Sequence, residues 1–185
     1  MASRAPALPA DERRAAIVDA TLPLLLEQGT GITTRQIAEA ADIAEGTIFR
    51  VFPDKDAVIR AVVERAFDPT PTEEALAGID AALPFEKRLA AAVGIIQRRL
   101  ADIWRLLTAV GSTLAPATPP PDLEGLVRLF EPEQARLRTD PRTAGRQLRA
   151  LTLAVSHPLF VADRPMKPAD IVSLLLDGIR LGEDR

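Results

Sequence analysis

Between Phe85 and Val110 the apolar residues Leu89, Val93, Ile96, Leu100, Ile103, Leu107 and Val110 recur three or four positions apart. That spacing gathers them on one face of a helix, whereas a strand would scatter them over both of its faces. The segment therefore reads as one long helix, or as two joined near Leu100 and Ala101. Nothing elsewhere alternates with the two-residue period of a half-buried strand. Composition agrees, because 47% of the 185 residues are apolar while only 4% are aromatic. Leu and Ala must then do most of the packing, which suits helix on helix better than sheet on sheet. The expectation is an all-α chain of about eight or nine helices.

Local stop and start signals divide the rest. Asp11 to Gln28 carries Ile17, Thr21, Leu24 and Leu25 at helical spacing and ends at Gly29. Pro23 inside it removes a backbone donor and is expected to kink or loosen the helix. Thr33-Thr34-Arg35-Gln36 is a capping box, in which Thr and Gln each satisfy a backbone N–H at a helix start. Asp42 is placed to take a left-handed turn. A short helix from Ala44 to Phe52 follows, Pro53 breaks it, and Asp54 caps a longer helix reaching Phe67. Asp68-Pro69-Thr70-Pro71-Thr72 reads as a linker. The expected division is residues 1–67 and 68–185, with 54–67 as a connecting helix. Further helices are expected at Glu73 to Leu83, Asp122 to Phe130, Pro141 to Ser156 and Pro168 to about Leu181, with a Pro-rich loop from Ala115 to Pro121.

Several chemistries are excluded by what the chain lacks. It has no Cys and one His, His157, which removes disulfides, thiolate sites, cysteine nucleophiles and multi-histidine metal centres. His157 precedes Pro158 at a helix end and reads as a capping or packing residue. No cofactor, metal or catalytic site is expected, and the chain is not expected to be an enzyme. The N-terminus, interrupted by Pro6 and Pro9, lacks the apolar core of a signal peptide. The uncharged run Leu106 to Pro121 is broken by four prolines. A soluble, cytoplasmic protein with no membrane span is expected. The net charge is −3, and residues 1–66 hold eight Lys and Arg against ten Asp and Glu. Bulk charge thus offers no footprint for nucleic acid.

The placed residues point the other way. In Thr33 to Lys55, Ala38 is small where two helices would cross, Asp42 makes the turn, and Ile37, Ile43 and Ile48 plug one helix onto the other. This is the spacing of a helix-turn-helix, which sets its second helix into the DNA major groove. Over about Ala15 to Ala66 the chain resembles the TetR family of bacterial transcriptional regulators. Thr33-Thr34, Ile37-Ala38, Ala40-Ala41, Ile43, Gly46-Thr47-Ile48-Phe49, Phe52, Lys55 and Val58 carry the resemblance. Asp42 stands where the family usually has Gly, Phe49 where Tyr is common, and Val51 where an aromatic residue or His is common. Glu45 puts an acid near a surface facing phosphates.

The resemblance implies an N-terminal three-helix DNA-binding domain followed by a helical ligand-binding and dimerisation domain. It implies a homodimer that binds double-stranded operator DNA and is released by a small apolar effector. The candidate DNA contacts are Thr33, Thr34, Arg35, Glu45, Gly46, Thr47, Phe49, Arg50 and Lys55, with Arg50 as the reader of a base edge and Lys55 on phosphate. Arg4, Arg13 and Arg14 are candidates for added phosphate contacts from an arm. Phe85, Trp104, Leu107, Leu126 and Phe130 are candidates to line a ligand pocket. Leu148, Leu151, Val155, Ile171, Leu174, Leu175 and Ile179 are candidates for a dimer seam, because the last helix is apolar nearly all round. An activator, a regulator that needs its ligand to bind DNA, and a helical ligand carrier with vestigial DNA binding remain open alternatives.

Overall fold

The computed structural model describes residues 9–115, 121–161 and 164–180. Among these it contains nine α-helices: α1 (Ala10–Gln28), α2 (Thr34–Ala40), α3 (Glu45–Val51), α4 (Lys55–Phe67), α5 (Thr70–Ala77), α6 (Phe85–Val110), α7 (Glu124–Phe130), α8 (Pro141–Ala154) and α9 (Pro168–Ile179). Three short 3-10 turns join them. The described residues form no strand, only an isolated antiparallel bridge between Leu137 and Arg180. Arg4, Leu181 and most of the Pro-rich loop lie outside the described residues. No helix is long and apolar enough to cross a membrane among the described residues.

The chain divides into two compact units, Met1–Asp68 with Ile103–Thr118, and Pro69–Asp102 with Pro119–Arg185. The long helix α6 is unbroken through Leu100 and Ala101, and its last two turns belong to the first unit. A linear division of the chain leaves that contribution out.

The first unit is built on side chains with almost no exposed surface: Ile17 and Leu25 of α1, Ile37 of α2, Ile48 of α3, Phe52, and Val58 and Val62 of α4. Leu106 and Val110 of α6 join them. Each such side chain contributes roughly 1.5–3 kcal/mol by leaving water. Helix α1 runs through Pro23 without a break in its assignment. It ends at Gly29 (φ 64°), where a Cβ would lie 3.0 Å from the Ala109 carbonyl oxygen, so both conformation and space require glycine.

The second unit packs Leu89, Ala92, Val93 and Ile96 of α6 against Leu126 and Phe130 of α7, Leu148 of α8 and Ile171 of α9. Helix α5 starts at Thr70 and stops at Ala77, earlier at both ends than its sequence suggests. Pro69 and Pro71 read as breakers, but in a first turn a missing N–H costs nothing, and the Pro69 carbonyl accepts from Thr72 and Glu73. Helix α7 starts at Glu124 because Asp122 turns its carboxylate to Arg142 and Arg146 instead of capping. Glu73 of α5 takes over, accepting from the Gly125 N–H at 2.8 Å. A Cβ on Gly125 would come within 2.7 Å of Leu76 Cβ, so glycine is what lets α5 and α7 touch. His157 lies beyond the end of α8 and caps no helix; its Nδ1 accepts from the Leu159 N–H at 3.2 Å, and its ring lies 5.5 Å from that of Phe160.

Candidate nucleic-acid interface

The turn between α2 and α3 is fixed by backbone bonds. Ala41 donates to Ile37, and Ile43 donates to the Ala38 carbonyl, both at 3.0 Å. Between them Asp42 takes φ 51°, the left-handed conformation that Asp tolerates better than most residues. Ala38 is buried at the crossing, and Ile37 and Ile48 are buried on either side of it. At the start of α2 both halves of the capping box form: Gln36 N–H donates to Thr33 Oγ1 at 3.2 Å, and Thr33 N–H to Gln36 Oε1 at 2.8 Å. Thr33 is thereby a helix cap before it is anything else.

One tie between the two helices has no signal in the sequence. Thr34 Oγ1 donates to Glu45 Oε1 at 2.5 Å, joining the start of α2 to the start of α3. Glu45 thus sits at a helix N-terminus, where its charge is favoured, with one oxygen already engaged. Its acidity is partly answered within the protein.

The outer face of α3 carries the candidate contacts. Phe49 is 53% exposed, too large an apolar surface to be explained by packing within the chain. Gly46 is exposed, and a Cβ there would meet nothing within 4 Å. No internal contact demands glycine at that position, which leaves room for close approach of another backbone. Thr47 is half-buried at the same end. Arg50, in the last turn, is exposed and makes no hydrogen bond or ion pair among the described residues. Arg35 of α2 pairs with Glu39 at 3.1 Å, but the pair is 80% and 65% exposed, so exchanging Glu39 for another anion costs little.

Two cations have other duties. Lys55 Nζ donates to the carbonyls of Thr30 (2.8 Å) and Ile32 (3.0 Å), holding the segment before α2 and leaving one of its three donors. Arg14 belongs to α1, not to an arm, and its guanidinium lies 4.3 Å from the centre of the Phe52 ring. Arg13 is likewise helical.

Residues 17–62 match the family model of bacterial regulatory proteins of the tetR family. Over that segment the chain is similar to the TetR family. Over 90 residues it is 33% identical to the HTH-type transcriptional repressor KstR of Mycolicibacterium smegmatis, covering 48% of this chain and 44% of that protein. Over 58 residues it is 41% identical to the repressor of the same name from Rhodococcus jostii, covering 31% and 27%. The chain thus spans less than half the length of the curated relatives it matches. A TetR-family regulator from Vibrio parahaemolyticus shares the fold with a TM-score of 0.62 at 19% identity, covering 92% of this chain and 100% of that one. The matched family model describes bacterial regulatory proteins, and the matched relatives are HTH-type transcriptional repressors.

The other site residues are distributed differently from expectation. Phe85, Leu126 and Phe130 lie in the core of the second unit, with the Phe85 and Phe130 rings edge-to-face at 5.7 Å. Trp104 and Leu107 belong to the first unit, where Leu107 packs on that unit's core. The five line no common cavity among those described. Their helical spacing is that of core positions, and it cannot distinguish a filled interior from a hollow one.

The dimer candidates also separate. Leu148, Ile171, Leu175 and Ile179 are buried in the protomer's own core, so a partner would find none of their surface to cover. Leu151 and Val155 are half-buried, and Leu174 is 53% exposed. Leu153, Leu159 and Phe160 are exposed as well. An apolar α9 signals that both faces need cover, but not which arc α6 and α8 already occupy.

Proposed function

We propose that this chain is a homodimeric repressor that binds operator DNA through α2 and α3 and is released by a small molecule held in its second unit. The observation that carries the reading is the outer face of α3. Gly46 opens it, Phe49 is exposed on it, and Arg50 stands there without a partner among the described residues. An arginine free to bond a guanine edge, beside an apolar ring able to meet a thymine methyl, is the equipment of major-groove readout. Two copies are required to reach half-sites about 34–36 Å apart. Leu159, Phe160 and Leu174 are exposed apolar residues that a second copy would cover. The effector acts by binding one conformation of the second unit more tightly than another, which shifts the population of DNA-competent dimers.

The test is a gel shift of the purified chain against DNA flanking its own gene, with sedimentation to establish the dimer. A shifted band that Arg50→Ala weakens at least tenfold supports the reading. An intact dimer that shifts no flanking fragment even at low salt overturns it.

A further inference from the structure

A groove of about 660 Å³ lies between α7 and α8 of the second unit, within the roughly 300–1,000 Å³ of small-molecule sites. Leu123, Leu126 and Val127 line it from the α7 side, and Leu153 of α8 lines it as well. Three arginines one helical turn apart, Arg142, Arg146 and Arg149, run along its α8 wall.

The three are not equivalent. Arg142 donates to Asp122 at 2.9 Å and to both oxygens of Glu124 at 2.8 and 3.2 Å. Arg146 donates to both oxygens of Asp122, each at 2.8 Å. The hydrogen bonds of Arg146, and then those of Arg142, hold the Asp122 carboxyl well below the ordinary carboxylate range. Two cations and two anions therefore cancel. Arg149 is half-buried, and among the described residues its guanidinium bonds only the Pro121 carbonyl, at 2.5 Å, with no carboxylate partner. A guanidinium keeps its charge, and its partial burial is offset only by attraction to nearby Asp122, which it does not bond, so the donors not spent on Pro121 can take an anion in the groove that Arg149 lines.

We propose that the α7–α8 groove binds an amphipathic carboxylate, its apolar body against Leu123, Leu126, Val127 and Leu153 and its carboxylate held by Arg149. One unpaired guanidinium matches a single negative charge presented in a plane. Asp122 beside it disfavours a doubly charged phosphate. The proposal rests on the ligand-responsive reading above and names the chemical class of its effector.

The test is calorimetric titration of the intact chain with dodecanoate below its micellar concentration, against dodecanol and dodecyltrimethylammonium. Operator affinity is followed in parallel by anisotropy. Dodecanoate is expected to bind at least tenfold more tightly than either analogue, with affinity rising from hexanoate to dodecanoate. Arg149→Met should lose roughly ten- to a hundredfold in dodecanoate affinity, the worth of a charge-assisted bond. Asp122→Asn removes the competing carboxylate and should tighten dodecanoate, a gain that a purely structural arginine wall would not give. Equal binding of acid and alcohol overturns the proposal, and so does an Arg149→Met protein that binds dodecanoate like the parent. The wild-type comparison stands even if a variant fails to fold. Operator release by dodecanol but not dodecanoate overturns the groove and leaves the ligand-responsive reading intact. Arg149-dependent binding that leaves operator affinity unchanged supports the groove and overturns the ligand-responsive reading.

Discussion

Helices α2 and α3 treat their arginines in the opposite way to α8. On α2 and α3 the cations are exposed: Arg50 has no partner among the described residues, and Arg35 has only a solvated one. On α8 the cations are drawn into a cluster with Asp122 and Glu124. A DNA backbone is a large, fixed, anionic partner, so a surface that meets it gains by leaving charges open to solvent. On α8 the pairs of Arg142 and Arg146 tie the helix to the residues at the start of α7 and neutralise both charges. On the proposed reading, a few placed cations serve for DNA although the total charge of the chain is −3.

The contrast can be broken most severely through the cores. Ile48 of α3 has no exposed surface, and Ile48→Ala is expected to cost about 2–5 kcal/mol. Hydrogen exchange should show the loss in the first unit while amides of α8 and α9 keep their protection. Equal loss in both would mean that the units do not behave as separate bodies. Gly125→Ala probes the other side. Its Cβ would meet Leu76 Cβ at 2.7 Å, and overpacking of this kind costs about 1–3 kcal/mol. Thermal melting should fall while operator binding at low temperature is retained.

How much of this was readable beforehand depends on the type of signal. Thr33, Asp42 and Asp54 are local devices whose side chains act within three or four residues, and each does what its position implies. The periodicity of Phe85–Val110 needed no partner to be seen. The α2–α3 motif was readable because its geometry must match a duplex of fixed shape. What could not be read depends on long-range neighbours. Thr34 reaching Glu45, Lys55 reaching two carbonyls and Glu73 capping α7 are all pairings across loops. The burial of Ile171, Leu175 and Ile179 within the protomer depends on where α6 and α8 lie. Nothing in the sequence marks which arginine of α8 lacks a carboxylate partner.

Smaller effects sharpen the contrast further. Lys55→Ala strips two partly solvated backbone carbonyls of their donor and should cost about 0.5–1.5 kcal/mol in unfolding free energy. Arg50→Ala should leave stability within about 0.5 kcal/mol of the parent, as for an exposed side chain without partners. A denaturant titration of both variants separates a cation that holds the fold from one that only faces outward. The smallest effect is on acid stability. The depressed pKa of Asp122 means its contribution is present above the ordinary value of 3.8 and is lost as pH falls below it. Below that pH, Asp122→Asn should show a shallower loss of stability than the parent, and the two should differ by a constant amount above pH 5.

The central claim is that α3 reads bases through Arg50. Its most direct test is the ratio of affinities for the flanking operator fragment and for random DNA of equal length, measured by anisotropy at fixed salt in the parent and in Arg50→Ala. The account predicts that the parent strongly prefers the operator. It also predicts that Arg50→Ala loses about 1–3 kcal/mol on the operator and little on random DNA, so that the ratio falls. A parent that binds both fragments alike, or a ratio unchanged by Arg50→Ala, contradicts it.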